Sequence, residues 1–208
     1  MKEYLLLLPL IFIFHDMEEV VGFCWFFRKN PWLYDRFPKV MNAYRGITNE
    51  GMAAGVYEEF ILFFGVSLLA YYFPCKVLYA LWFGIFLSLA AHFIVHIGHT
   101  IYLRKYIPSF ITSVICLPVS VSILLRCARG MTFDVVTVIA IVASILLMMV
   151  NLKLAHAVVH YVNERITSQD LYVNERITSQ DFTLMDQGLN SMDQGLNSMD
   201  QGLNSMDK

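Results

Sequence analysis

Long apolar stretches dominate this chain, and short polar segments separate them. The apolar stretches cover roughly residues 4–27, 51–73, 77–103, 109–125 and 133–162. Each is close to the roughly 20 residues that an α-helix needs to cross the hydrocarbon core of a bilayer. Pro31, Pro74 and Pro108 fall in or next to the separating segments, where a missing backbone N–H does least harm. The pattern predicts an all-α, polytopic membrane helix bundle of about five transmembrane helices.

Composition supports a membrane protein. Of the 208 residues, 57% are hydrophobic and only 15% are charged, which excludes an ordinary soluble domain. Residues 31–49 mix aromatic and basic side chains and are typical of a segment that lies along lipid headgroups. The only basic stripe is the short 28–45 region, which suits anionic lipid better than nucleic acid. We therefore expect the lipid bilayer as a partner and no nucleic acid. The sequence gives no indication of oligomeric state.

The C-terminal part of the chain is polar and repetitive. The run YVNERITSQD begins at Tyr161 and again at Tyr172, and MDQGLNS occurs three times between Met185 and Ser205. Glycine recurs in each seven-residue copy, which opposes a coiled coil. We therefore expect residues 1–162 to form the transmembrane bundle and residues 163–208 to form a flexible tail.

Basic residues predict the orientation of the bundle. Residues 28–49 hold five Lys or Arg and the 104–105 turn holds two, against four at the other membrane face, namely Lys2, Lys76, Arg126 and Arg129. Lys and Arg accumulate in cytoplasmic loops. This count predicts an N-terminus outside the cell and a C-terminus in the cytoplasm.

Ionisable side chains cluster inside the apolar stretches. All six histidines lie there, together with two pairs of glutamates. The group consists of His15, Glu18, Glu19, Glu58, Glu59, His92, His96, His99, His156 and His160. A charged side chain at the bilayer centre costs about 3 kcal/mol even on a lenient scale, so these groups need partners. Because successive helices alternate in direction, we expect all of them in one leaflet, which by the charge count is the cytoplasmic one.

The spacing of these residues favours a metal site. Residues three, four or seven apart share a helix face, so each histidine group can present its rings together. Imidazole and carboxylate ligands suit zinc, iron or manganese. Ten candidates exceed the three or four ligands of a single zinc ion, so we expect one or two divalent ions, zinc or iron. Glu58 and Glu59 diverge by about 100° on a helix, so one should bind metal while the other bridges, accepts a hydrogen bond or acts as a base.

Two simpler interpretations compete with the metal site. A single histidine on an apolar helix is often a packing residue, and membrane carboxylates can form proton relays without metal. The confinement of every histidine to a cluster favours metal binding. Asp16 lies off the face of His15 and is expected only to contact a neighbouring helix.

The run His15-Asp16-Met17-Glu18-Glu19 resembles the defining motif of the HxxEE family of bacterial integral membrane proteins. The order of the other acidic and histidine groups resembles that family as well, over about residues 1–162. The resemblance implies that the protein lies in a bacterial cytoplasmic membrane. It also implies that His15, Glu18 and Glu19 are the histidine and the two glutamates of the motif. It implies no reaction, because the family is biochemically uncharacterised.

The residues themselves favour a membrane-embedded metalloenzyme that acts on a lipid or another apolar substrate. Zinc would support hydrolysis and iron would support oxidation, with Glu18 or Glu59 as the catalytic base. The alternatives are a metal-ion or proton transporter and a noncatalytic, metal-stabilised subunit. Five spans, no internal repeat of the spans and ligands confined to one leaflet weigh against transport.

Removal of residues 183–208 should leave folding and metal content unchanged, because the repeats present no apolar face to bury. The measurements are size-exclusion chromatography in mild detergent and elemental analysis of the truncated protein. Loss of monodispersity or of bound metal would contradict the assignment of these residues to a dispensable tail.

Overall fold

The computed structural model describes residues 1–169 and 172, and every regular element within them is helical. The long helices are α1 (Leu7–Lys29), α4 (Asn49–Tyr72), α5 (Lys76–Leu103), α6 (Phe110–Arg129) and α7, which is described over Val135–Gln169. Two short helices, α2 (Trp32–Arg36) and α3 (Pro38–Met41), follow α1, and 3-10 turns lie at Lys2–Tyr4 and Asn42–Tyr44. The predicted all-α class is confirmed.

Within the described part of the chain, four helices are long and apolar enough to cross a membrane, namely α4, α5, α6 and α7. The remaining long helix, α1, has 23 residues and carries Asp16, Glu18 and Glu19. At 1.5 Å per residue it measures about 34 Å, enough to span the hydrocarbon core. The chain is an integral membrane helix bundle, and the predicted count of about five spans is approximate because α1 combines sufficient length with three carboxylates.

The described chain contains a compact bundle, Met1–Asn163, and the start of a second unit, Glu164–Lys208. Within the bundle α1 packs mainly against α4, and α5 packs mainly against α6. The expected flexible tail lies almost entirely outside the described residues.

An apolar core fills the bundle around the start of α1. Phe12 stacks on Phe63 of α4 with ring centroids 4.3 Å apart, and Trp82 of α5 is fully buried. The indole N–H of Trp82 donates to the Leu5 carbonyl oxygen at 3.0 Å. In a continuous helix that carbonyl would accept from residue 9, but Pro9 has no N–H to donate. Trp82 therefore satisfies a backbone acceptor that the sequence leaves open.

A second apolar cluster covers the other end of α1. Phe23, Phe26 and Phe27 pack there against Leu33 and Met41 of the short connecting helices. Of the aromatic residues in the 31–49 segment, α2 carries Trp32 and Tyr34. The motif run His15 to Glu19 lies along α1 between the two clusters, and His15, Asp16 and Glu19 are buried there.

Gly84 lets α5 approach α7 closely. A Cβ at this position would lie 1.9 Å from the Ser144 Oγ and 2.8 Å from the Ile141 carbonyl oxygen. Replacement of Gly84 by alanine should destabilise the bundle by about 1–3 kcal/mol, the usual cost of overpacking. Thermal unfolding in detergent measures the effect.

Gly65 of α4 provides the matched control, because a Cβ there meets no atom within 4 Å. Alanine at Gly65 should stabilise the protein by up to about 1 kcal/mol through helix propensity. Equal unfolding temperatures for the two variants would contradict the close packing of α5 on α7.

Candidate metal centre

Four ligand-bearing side chains from two helices meet inside the bundle. His15 and Glu19 come from α1, and His92 and His96 come from α5; one ligand atom from each lies within 4.8 Å of all the others. The Glu19 Oε1 lies 2.8 Å from the His96 Nε2, 3.6 Å from the His15 Nε2 and 3.9 Å from the His92 Nε2. The Nε2 atoms of His92 and His96 are 2.7 Å apart. Each helix contributes residues spaced by four, which share one face.

These separations match the size of a metal coordination shell. In a tetrahedral site with bonds of about 2.05 Å, neighbouring ligand atoms lie about 3.3 Å apart. The separations from Glu19 Oε1 bracket that value. A bound ion would therefore need only small side-chain adjustments, and three imidazoles with one carboxylate form a donor set that suits zinc, iron or manganese.

Several buried polar atoms at this centre have no hydrogen-bond partner. They include the His15 Nε2, the Asp16 Oδ1 and the Glu19 Oε1. A buried polar atom without a partner is costly, and most such atoms in native proteins are satisfied. Here they face one another within 3.6–3.9 Å of the His15 Nε2, so a cation between them would satisfy them together.

A chain of hydrogen bonds fixes the tautomer of His15. The Thr112 hydroxyl donates to the Glu18 Oε2 at 2.6 Å, because an ionised carboxylate can only accept. That hydroxyl has no second proton, so at 3.0 Å from the His15 Nδ1 it must accept from the ring N–H. The Nε2 of His15 is then left with a bare lone pair facing Glu19. Hydrogen bonds to the outer nitrogen commonly orient metal-binding histidines in this way.

The start of α6 orients His96 as well. The Ser109 hydroxyl lies 2.8 Å from the His96 Nδ1, and Ser109 is fully buried with φ at 94°. A non-glycine residue in this region carries backbone strain of about 1–3 kcal/mol. Pro108 packs against Gly22 so tightly that a Cβ on Gly22 would lie 2.4 Å from the proline Cβ. This packing holds the strained segment against α1.

Glu18 caps α6 in place of Ser109. The Ser109 side chain makes no capping hydrogen bond, and the Glu18 carboxylate instead accepts from the backbone N–H groups of Ile111 (3.4 Å) and Thr112 (2.8 Å). These N–H groups have no partner within the helix, and the helix dipole favours a negative charge there.

The Tyr106 hydroxyl also donates to Glu18 at 2.5 Å. Partial burial and this hydrogen bond raise the pKa of Tyr106 to about 12, so the phenol remains a donor at neutral pH.

Glu18 therefore lies outside the group of four, although the sequence made it a candidate ligand and base. Both of its oxygens are occupied by donors from α6 and the preceding loop. Glu18 instead helps to orient the His15 ring through the Thr112 hydroxyl.

The two glutamates of α4 diverge as their adjacent positions predict. Glu58 accepts a hydrogen bond from Asn151 of α7 at 3.3 Å. Glu59 interacts electrostatically with Glu19 and Asp16. Neither belongs to the group of four, and Glu59 is the nearer candidate for a role at the centre.

The remaining histidines are placed apart from the group of four. The ring of His99 lies 6.5 Å from that of His96 and is exposed. The His156 Nδ1 lies 2.7 Å from the Leu152 carbonyl oxygen, within its own helix, and its ring is 6.0 Å from that of Tyr44. His160 is exposed. Burial raises the pKa of Tyr44, and the Glu19 carboxylate adds to this shift.

The sequence did not predict the contacts of Ser109 and Thr112 with the histidines, and it predicted that Asp16 would only contact a neighbouring helix. The hydroxyl residues follow Pro108 at the start of an apolar stretch, where serine and threonine are ordinary helix-start residues, so only the fold reveals their contacts. Asp16 points away from the His15 face in a helical projection, yet its Oδ1 lies 3.9 Å from the His15 Nε2.

The fold and the cluster define a membrane helix bundle with a buried histidine and glutamate centre. The chain belongs to the HXXEE family, described as proteins of unknown function with an HXXEE motif, which matches residues 6–123. The match is shorter than the expected 1–162; it includes the group of four and the start of α6 but excludes His156 and His160. No curated protein and no solved structure matches the chain.

Loss of the Thr112 hydroxyl should weaken metal binding by about 10–100-fold, the usual cost of removing a partner of a ligating histidine. Thr112→Val keeps the shape of the side chain and frees His15 to adopt the other tautomer. Thr112→Ser should restore most of the affinity. Equilibrium dialysis of detergent-purified protein against Zn²⁺ measures the change.

Ser113→Ala is the matched control, because the buried Ser113 hydroxyl has no hydrogen-bond partner. It should leave the zinc affinity unchanged. Equal affinities for Thr112→Val and the wild type would show that the hydrogen-bond chain does not act on the metal.

Proposed function

We propose that this protein is a membrane-embedded metalloenzyme with a zinc or iron centre that acts on a lipid or another apolar substrate. The observation that carries the proposal is the meeting of His15, Glu19, His92 and His96, with unpartnered His15 and Glu19 ligand atoms at their centre. Apolar packing alone gives no reason for three imidazoles and a carboxylate to meet inside the bundle. Their donor types and separations fit a divalent transition metal.

The exposure of the four side chains supports a substrate that arrives from the bilayer. His15 is fully buried, and the side chains of Glu19 and His96 are 11% and 10% exposed. The side chain of His92 is 40% exposed. Counting 1.5 Å per residue, His92 lies about 16 Å from the end of α5 at Leu103, at the depth of acyl chains. An apolar molecule in the membrane could therefore approach the centre beside His92.

The metal would supply a Lewis acid and an activated water for hydrolysis, or oxygen chemistry if it is iron. This chain would hold the ion with the group of four and orient His15 and His96 through Thr112 and Ser109. Glu18 is poorly suited as a base because donors occupy both of its oxygens. Glu59, beside Glu19, is the better candidate for handling protons.

Basic residues at the same end of the bundle favour an anionic lipid. Lys105 donates to Asn30 at 2.8 Å and lies 5.3 Å from the Trp32 ring, and Arg36 also lies near that ring. Such aromatic and basic pairs are typical of the headgroup region. We propose that this end faces the cytoplasm of a bacterial cell, with the centre in the cytoplasmic leaflet.

A metal-ion or proton transporter is the second candidate, because the same side chains could bind an ion transiently. The packing opposes it. Phe12, Trp82 and Phe86 are 0–2% exposed and fill the bundle between the centre and the start of α1. An ion path to the other membrane face would have to pass through this apolar core.

Alanine at His15, Glu19, His92 or His96 should each lower the bound metal by at least half, because each change removes one ligand. Elemental analysis of protein purified in mild detergent gives the metal content. His156→Ala and His160→Ala are the controls and should retain wild-type metal. Full metal content in all four variants, or equal loss in the controls, would contradict the assignment of the centre.

The enzymatic part of the proposal is tested separately, with a bacterial lipid extract in nanodiscs that contain the wild type or Glu19→Gln. Mass spectrometry should find, only with the metal-loaded wild type, either two cleavage products whose combined formula equals a lipid plus water or a lipid that has gained an oxygen atom. No metal-dependent lipid change, combined with metal-ion or proton flux in proteoliposomes that Glu19→Gln abolishes, would favour the transporter instead.

A further inference from the structure

A strip of exposed side chains on α5 leads from the end of the helix to the centre. Its members are spaced by three or four residues, so they share one face of the helix. They are His92, Val95, His99 and Tyr102, called here the α5 strip. Val95, His99 and Tyr102 are exposed, and His92 is partly exposed. The group of four uses His92, whereas the exposed His99 has no role there.

Two basic side chains lie at the outer end of the α5 strip. The Tyr102 ring lies 6.3 Å from the Phe37 ring, and the Arg36 guanidinium lies 5.5 Å from the centroid of that Phe37 ring. Arg36 and Lys105 also lie 6.0 Å and 5.3 Å from the centroid of the Trp32 ring. Within the part of the chain that the structure describes, neither of these cations forms an ion pair with a carboxylate. The α5 strip therefore ends at two positive charges that can bind an anion.

The length of α5 sets the depth of each residue on the α5 strip. The helix has 28 residues and is about 42 Å long at 1.5 Å per residue. A bilayer with its headgroup layers is about 40–45 Å thick, and its hydrocarbon core is about 30 Å thick, so the core begins about 6 Å inside each end of α5. His99 lies about 6 Å from the helix end at Leu103, and His92 lies about 10 Å deeper. His99 is thus level with the ester groups of a phospholipid, and His92 is level with the acyl chains.

We propose that an anionic glycerophospholipid binds along the α5 strip, with its phosphate at Arg36 and Lys105 and one acyl chain extending along α5 to His92. The proposal rests on the proposed function and names the substrate class of the same centre. The His99 ring can donate a hydrogen bond to an ester carbonyl oxygen, which gives a role to a histidine outside the group of four. The ester bonds would remain about 10 Å from His92. Methylene groups of the chain, and not the ester bonds, would therefore meet the centre, which weighs against hydrolysis of those esters.

The test uses a trace of photoreactive phosphatidylglycerol in phosphatidylcholine nanodiscs that contain the full-length protein. A diazirine in the middle of the acyl chain should cross-link near His92, and a diazirine next to the ester should cross-link near His99. Peptide mass spectrometry locates and quantifies each cross-link. Phosphatidylcholine probes with the same labels should give lower yields at both positions, because they carry no net charge. Arg36→Gln combined with Lys105→Gln should lower the phosphatidylglycerol yields about 25-fold, roughly fivefold for each basic residue.

Lys29→Gln combined with Lys39→Gln is the matched control. It removes two positive charges from the same end of the bundle but leaves both cations at the Trp32 ring. This control should keep the wild-type yields. Monodispersity and thermal unfolding establish that each variant is folded. Arg36→Gln alone, with an expected loss of about fivefold, replaces the double variant if that variant misfolds.

Equal yields for the two headgroups, or wild-type yields in the folded Arg36 and Lys105 variant, would overturn the anionic-lipid site and leave ordinary boundary lipid. A near-ester probe that cross-links at His92 would overturn the proposed depth of the lipid. Elemental analysis of the same samples separates this proposal from the metal centre. Bound metal without the expected cross-links would overturn the lipid site alone, whereas the expected cross-links without bound metal would overturn the metal centre alone.

Discussion

The Glu18 carboxylate joins α1 to the start of α6, and the orientation of the centre depends on that contact. By accepting the free N–H groups of α6, Glu18 performs the capping that Ser109 would otherwise perform. The Ser109 hydroxyl is then available to His96, while the Thr112 hydroxyl turns His15 toward Glu19. One carboxylate thus helps to hold two helices and two histidine rings, since each polar group in the apolar interior needs its own partner.

The adjacent glutamates of the motif consequently have different tasks. Glu18 is engaged by donors on every side, whereas the Glu19 Oε1 has no hydrogen-bond partner and faces three imidazoles. Their divergence follows from the 100° turn between neighbouring helix residues. The spacing His-x-x-Glu-Glu therefore combines a candidate ligand pair at positions i and i+4 with a carboxylate at i+3 that caps α6.

The sequence predicted the helices, and all four residues of the group are among its ten candidate ligands. Apolar stretches predict long helices well, because membrane length and hydropathy constrain them, and His92 with His96 follows from a four-residue spacing. The separation of His99, His156 and His160 from the centre could not be predicted, since helix rotation depends on packing between neighbours. Ser109 and Thr112 were missed because their contacts depend on how the loop after α5 folds back onto α1.

We propose that three imidazoles and a carboxylate bind an ion inside the membrane bundle. The X-ray absorption spectrum of the zinc-loaded protein in detergent reports these ligands themselves. We expect nitrogen and oxygen ligands at about 2.0–2.1 Å, with the outer-shell scattering of imidazole rings. Sulfur ligands at about 2.3 Å, or a spectrum without imidazole scattering, would contradict this assignment.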